Sequence, residues 1–360
     1  MSSLRESAVA STTLRTYDKN LNNFLQFTRL SFSLFLTFDA QRLDAKLAAY
    51  IEHMHATAAP FDYASHAVHG VIFRRPELRG PSSLPISRQC LRGWARTRLT
   101  ASHPPLTWEL TVLFAVNMAR SGHHGPAVAI LLAFDCYLRV GELTRLRYCD
   151  VVQPHDPRLG SGHTTMALRL PKTKTGLNQW VSLQNADVTS ILVHWLRQQG
   201  HVHDQSSTRR VFPFSPSHLR WLLHRVKEQL GLSATPYVPH SLRHGGATYD
   251  YLRGASIEQV MYRGRWQSMV SARRYIQTGR ALLVAQQVPQ RLNQLGQLFN
   301  QSLPAIFVHL MHSVATVQSR AASAALQQRS RSVTFASDDS APATSSVSQP
   351  RGSVAAGSRL

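Results

Sequence analysis

The sequence predicts a mainly α fold with one small β-sheet, an α+β arrangement in which a helical N-terminal bundle precedes a larger mixed domain. Three observations carry that expectation. Apolar residues recur at helical spacing along most of the chain, a period of two appears only between His163 and Leu183, and Pro104-Pro105 breaks the pattern between two segments each able to bury a core.

The elements follow in order. Tyr17, Leu21, Phe24 and Leu25 share one face of a first helix expected from Thr12, behind a Ser11-Thr12-Thr13 cluster suited to capping. Further helices are expected from Asp44 to His55, from Asp62 to Phe73 and, rich in arginine, from Ser87 to Leu99; Pro60 and the Pro76 to Pro85 stretch separate them. Residues 1–103 thus form an all-helical domain, with Pro104-Pro105 as the linker. Beyond it, Trp108 to Ser121 and Ala127 to Tyr137 read as buried helices and Arg139 to Tyr148 as the next. His163 to Leu170 and Gln179 to Leu183 alternate as strands around a Lys174-Thr175-Gly176-Leu177-Asn178 turn, so a β-hairpin is expected with lysines at its tip. Helical periodicity returns from Asp187 to Gln199, Ser217 to Leu230, His240 to Arg253, Ser256 to Tyr262 and Ser268 to Ile276, completing a domain over 106–279. Val288, Leu292, Leu295 and Phe299, then Leu303 to Val317, outline helices over 280–318 that are expected to pack on a second protomer. From Ser319 the large apolar residues disappear, and 319–360 is expected to be a disordered tail in which Arg329-Ser330-Arg331-Ser332 is a solvated run.

Composition narrows the partner. Across 360 residues, 40 Lys+Arg stand against 19 Asp+Glu for a formal net charge of +21, which favours a polyanion: nucleic acid first, an anionic membrane surface second. The only lysines are Lys19, Lys46, Lys172, Lys174 and Lys227, so nearly all the positive charge is arginine, the side chain suited to bidentate phosphate contacts. Cys90, Cys136 and Cys149 are odd in number and widely spaced, which argues against a disulfide framework or a cysteine zinc site and for a reducing compartment. No apolar run approaches the roughly 18 to 20 residues that span a bilayer, and no h-region follows Arg5 and Glu6. The expectation is a soluble, intracellular protein without a membrane partner.

Four segments carry the chemistry. Pro239-His240-Ser241-Leu242-Arg243-His244 falls at an expected helix start, where free backbone N–H groups favour an anion and His240 and Arg243 share a face. Alone that pattern is weak, and His155-Asp156-Pro157-Arg158 repeats it without obvious meaning. Tyr137-Leu138-Arg139-Val140-Gly141-Glu142-Leu143 places Arg139 at the head of a core-facing helix. Lys172-Thr173-Lys174-Thr175-Gly176 concentrates two of the five lysines at one hairpin tip. Gly264-Arg265-Trp266 leads, nine residues beyond Trp266, to Tyr275.

In this order the four segments resemble the catalytic domain of tyrosine recombinases, the phage-integrase family of DNA breaking and rejoining enzymes. The resemblance covers Leu106 to Gly279, and the N-terminal helices look like the family's core-binding domain. It implies that Arg139 and Arg243 hold the scissile phosphate, that His240 is the general acid/base beside them, and that Tyr275 is the nucleophile. Lys174, or alternatively Lys172, would be the general acid for the leaving 5′-oxygen. Trp266 stands where histidine is commoner, and its indole N–H donates but cannot shuttle a proton. Glu142 and His244 would orient the arginine and pack the site.

The chemistry agrees with those residue types. A tyrosine phenol with a pKa near 10 is ionised to only about one part in a thousand at neutral pH, so it needs a base or a strongly cationic site. A covalent 3′-phosphotyrosine conserves the phosphodiester bond, so no nucleotide cofactor and no metal are expected, and His201-Val202-His203 lacks nearby acidic partners for a metal site. The expected partners are double-stranded DNA and further copies of the chain, as a dimer or tetramer on DNA. The long tail resembles integrases of eukaryotic mobile elements, which would place the protein in the nucleus, or otherwise in the cytoplasm at the nucleoid. A catalytically silent DNA-binding protein derived from such an element and a type IB topoisomerase are the competing readings.

Overall fold

The computed structural model describes residues 4, 6–97, 103–154, 156, 164–173, 176–200 and 206–312, and they divide into two units, one before His103 and one from His103 onward. The first unit is built from α1 (Ser11–Thr28), α2 (Phe32–Thr37), α3 (Ala40–Ala56), α4 (Phe61–Arg74) and α5 (Pro85–Thr97). Leu21, Phe24, Phe35, Leu43, Leu47, Ile51, Val68 and Val71 form its core. A Cβ on Gly70 would lie 2.8 Å from the Tyr17 carbonyl oxygen, so only glycine lets α4 approach α1 this closely. Two expectations are corrected and one helix was unforeseen. The Ser11-Thr12-Thr13 cluster is not a cap, because the helix already starts at Ser11 with Ala10 as N-cap. Asp44 does not open its helix: α3 is capped by Asp39, and Asp44 sits inside it, accepting the Ile86 and Ser87 backbone N–H groups of α5 at 2.8 and 2.9 Å. The short α2 carried no periodicity long enough to be read.

The second unit contains α6 (Trp108–Arg120), α7 (His124–Asp135), α8 (Val140–Leu143), β1 (Val151–Val152), β2 (Ala167–Lys172), β3 (Leu177–Ser182), α9 (Ala186–Gln198), α10 (Pro216–Gln229), α11 (Pro239–Leu252), α12 (Ile257–Gly264), α13 (Met269–Arg273), α14 (Thr278–Gln287) and α15 (Gln290–Gln301), with residues 303–312 also helical. The mainly α class with one small sheet is therefore what the chain adopts. The sheet is antiparallel in the order β1-β2-β3, with Leu168 opposite both Val151 and Val181. Helices α6 and α7 are buried on nearly every side and form the centre of the core. Pro104 and Pro105, expected as a linker, are buried at the start of this unit, where the Leu106 N–H donates to the Ser241 carbonyl at 3.0 Å.

The expected helix from Arg139 to Tyr148 stops after one turn. Its later backbone groups bond a distant segment instead: Tyr148 and Cys149 N–H donate to the Arg209 and Ser207 carbonyls, and Val211 N–H donates to that of Leu146. The hairpin lies closer to its tip than expected: β2 starts at Ala167 rather than His163, and Lys172 pairs with Leu177. Helix α13 ends at Arg273, not at Ile276, because the Thr248 hydroxyl donates to the Tyr275 carbonyl at 3.1 Å and accepts the Gln277 N–H at 3.1 Å. The helices after Gly279, expected to dock on a second protomer, contribute Leu292, Leu303, Phe307 and Met311 to the core of their own unit. A Cβ on Gly296 would meet the Glu109 carbonyl at 2.3 Å, and Trp108 Nε1 donates to Asn300 Oδ1 at 2.8 Å. No helix among the described residues is long and apolar enough to cross a membrane. Cys90, Cys136 and Cys149 form no disulfide with one another.

Candidate active site

The site begins with a turn. After α7, Tyr137 takes a left-handed conformation (φ 48°), reversing the chain so that Arg139 becomes the N-cap residue of α8. Arg139 donates twice to the residue three ahead, its backbone N–H to Glu142 Oε2 at 2.9 Å and its Nη1 to Oε1 at 2.7 Å. Glu142 is 4% exposed. Burial alone would raise its pKa, but Arg265 and the Arg139 N–H and guanidinium outweigh burial and hold it below the usual carboxylate value.

Arg243 lies fully buried on α11, held by two carbonyl oxygens from different elements: Nη1 donates to Tyr137 and Nη2 to Gly264 at 2.6 Å. Burial, then the charges of Arg139 and Arg265, lower its pKa, while Glu142 acts in the opposite direction. Its guanidinium carbon lies 4.6 Å from the Trp266 ring centroid and 5.2 Å from that of Tyr275, cation–π distances. Close helix approach makes this placement possible. A Cβ on Gly245 would fall 2.1 Å from the Leu106 carbonyl oxygen and one on Gly246 2.1 Å from that of Phe134.

Tyr275 is half-buried in an aromatic clamp. Its ring centroid is 4.6 Å from Trp266, 4.6 Å from the stacked ring of His244 and 5.4 Å from His240. His244 is buried, and its Nδ1 lies 3.2 Å from Gln277 Nε2. Burial, followed by the neighbouring His240, pushes the His244 pKa down to about 4, so this ring is neutral at physiological pH. Two buried donors, Arg243 Nε and Trp266 Nε1, have no acceptor among the described protein groups. A cavity of about 490 Å³ is lined by Arg139 and His240, with His103, Val140, Arg220 and Val238 among its other residues.

The structure thus brings Arg139, Glu142, His240, Arg243, His244, Trp266 and Tyr275 together from four separate stretches of chain. Lys172 ends β2 and lines a different pocket, one that shares Glu142 and Arg145 with this cavity. Lys174, His155, Arg158, His201, Val202, His203 and the tail from Ser319 lie outside the described residues. Among the described residues no group of three His, Cys, Asp or Glu side chains is arranged to hold a metal.

Sequence reasoning missed a supporting layer. Arg265 Nη2 donates to Glu142 Oε2 at 3.2 Å and to the Tyr137 carbonyl at 3.2 Å, and its Nη1 reaches the Cys136 carbonyl at 3.3 Å. Arg263 donates to the Asp135 carboxylate at 2.8 Å and lies 3.4 Å from that of Asp250, which also accepts the Tyr137 hydroxyl. Apart from Arg263 and Asp250, these partners stand more than a hundred positions apart, so no local periodicity signals them. The sole hint was the pair of arginines flanking Gly264.

Residues 115–281 match the phage integrase family. The chain carries a domain of that family. The phage integrase domain spans the turn at Tyr137, the hairpin and every clamp residue around Tyr275. A lambda integrase dimer bound to a COC′ core site is similar over 75% of this chain and 90% of its own, at 19% identity and a TM-score of 0.51. The Tn1549 transposon integrase in complex with transposon right end DNA covers 77% and 94%, at 11% identity and 0.52. XerH site-specific recombinase in a post-cleavage complex with palindromic difH substrate covers 79% of each chain, at 14% identity and 0.50. At these identities the likeness establishes the tyrosine recombinase fold. No curated protein matches the chain.

Proposed function

We propose that this protein is a site-specific DNA recombinase, or integrase, that cuts and rejoins DNA through a covalent 3′-phosphotyrosine at Tyr275. The observation that carries this reading is the clamp: the Tyr275 ring is held between Trp266 and His244 above Arg243, while two buried donors, Arg243 Nε and Trp266 Nε1, have no acceptor among the described residues. A phosphate oxygen supplies the acceptor such donors require.

In the reaction, Tyr275 Oη forms a bond to phosphorus as the bond from phosphorus to the 5′-oxygen breaks. The phenolic proton passes to His240, and the departing 5′-oxygen takes a proton from Lys174 or Lys172. Arg139, Arg243 and the Trp266 N–H oppose the charge gathered on the phosphoryl oxygens, where one preorganised donor contributes about 3 to 4 kcal/mol. Glu142 acts through Arg139, accepting its backbone N–H at Oε2 and its guanidinium Nη1 at Oε1. Rejoining is the same path in reverse, with a 5′-hydroxyl attacking the phosphotyrosine, so the bond is conserved without nucleotide or metal cofactor. The helical unit before His103 would act as a second, core-binding grip on the duplex. The DNA complexes of the lambda, Tn1549 and XerH proteins, and the lambda dimer, support a dimer or tetramer of this chain on double-stranded DNA, working wherever that DNA lies, nucleus or nucleoid.

The test is an SDS-resistant adduct assay. Wild type and Tyr275→Phe are incubated in EDTA with a randomised, nicked duplex library and resolved on a denaturing gel. The expected result is a protein–DNA adduct in wild type that vanishes in Tyr275→Phe while DNA binding persists. Binding without any adduct would overturn the catalytic reading in favour of a silent DNA-binding protein. Relaxation of supercoiled DNA without strand exchange would favour a topoisomerase.

A further inference from the structure

A second concave site adjoins the first. It encloses about 460 Å³ and is lined by Arg145, Arg147, Lys172 and Arg210, among other residues. Its two carboxylates are already engaged. Asp150 Oδ1 accepts Arg169 Nε at 3.0 Å and Nη2 at 2.8 Å, its Oδ2 accepts the Arg147 backbone N–H at 3.3 Å, and Glu142 is taken by Arg139 and Arg265. Arg145, Arg147, Lys172 and Arg210 make no side-chain ion pair among the described residues, so the wall is a surplus of positive charge.

The backbone makes that surplus costly. Arg147 and Arg210 are directly opposite one another in an antiparallel bridge, which sets their Cα atoms about 4.5 to 5.5 Å apart and sends both side chains to one face. Like charges at such a pair repel and destabilise the pairing. Neighbouring hydrogen bonds from Tyr148 to Arg209 and from Val211 to Leu146 hold the bridge nevertheless. Neutral side chains would stabilise this bridge better, so the arrangement makes sense for an anion that lies between the two guanidinium groups. Glu142 and Arg145 line both this pocket and the cavity beside Arg139 and His240, so an extended polyanion seated at one continues into the other.

We infer that the pocket between Arg147 and Arg210 seats a DNA phosphodiester other than the one that is cut. The inference rests on the DNA reading above and deepens it, giving the duplex a fixed register against Tyr275 through a contact that carries no sequence information.

The test uses binding alone. Every chain carries Tyr275→Phe, and the ligand is a duplex that the full-length protein binds, with methylphosphonate placed at one phosphate at a time. The expected result is one or two positions, away from the scissile phosphate, at which removing the charge weakens binding about tenfold but leaves the Arg147→Gln/Arg210→Gln chain unaffected. The Arg147→Lys/Arg210→Lys chain is expected to regain the sensitivity, and the glutamine chain to lose about 0.9 from the slope of log K against log salt for each phosphate released. Equal losses in both chains at every position, with matching melting curves, would overturn the inference. So would Arg147-dependent binding of inorganic pyrophosphate alongside DNA binding that ignores both arginines. An adduct at Tyr275 without this coupling removes the pocket and leaves the recombinase; coupling without an adduct does the reverse.

Discussion

His244 shows how one buried side chain links the site to stability. Its pKa falls from 6.5 to about 4 on folding, through burial first and the adjacent His240 second. As pH drops below 6.5 the unfolded chain takes up a proton that the folded ring refuses until about pH 4, so stability is full above that window and is lost as pH falls through it. Urea titrations between pH 7 and 4 are expected to show a slope that His244→Asn reduces, by at most about 1.4 kcal/mol per pH unit; identical slopes would show that the ring is not the responsible group. At this scale Arg139, Glu142, His240, Arg243, His244, Trp266 and Tyr275 were legible because their types stand at characteristic spacings in three short segments. Arg265, which grips Glu142 and two carbonyl oxygens, was not. Asp44 was legible as a helix-starting residue, but burial turned it toward the first turn of α5.

Among the elements, α11 depends on Gly245 and Gly246. Their missing side chains admit the backbones of Leu106 and Phe134, and that contact carries Arg243 to the Tyr137 carbonyl. Gly246→Ala would press a methyl group against a carbonyl oxygen and is expected to cost roughly 1 to 3 kcal/mol or more, read as a lower melting temperature together with a slower adduct reaction. An unchanged melt would place the helices farther apart than described here. The long amphipathic helices were readable from period alone. The extents of α8 and α13 were not, because four and five residues hold too little periodicity and because Ser207, Arg209 and Thr248, remote in sequence, take the hydrogen bonds that would have extended them.

For the molecule as a whole, the helices after Gly279 belong to the core of the unit that begins at His103. Leu292, Leu303, Phe307 and Met311 are buried there, each worth about 1.5 to 3 kcal/mol against a total stability of about 5 to 15 kcal/mol. A chain ending at Gly279 is therefore expected to lose cooperative melting, whereas one ending after residue 312 keeps it. A truncated chain that melts normally but fails only in strand exchange would restore the expectation of packing on a neighbour. By itself the sequence determined the mainly α class, the hairpin, the cationic surplus and the types and order of the site residues, because period, charge and spacing are local properties of a chain. Only the tertiary structure decided which carbonyl oxygens hold Arg243, which rings enclose Tyr275, how Arg147 comes to face Arg210, and where the last helices dock. Those are contacts between residues tens to hundreds of positions apart, selected by burial and hydrogen bonding in the folded chain.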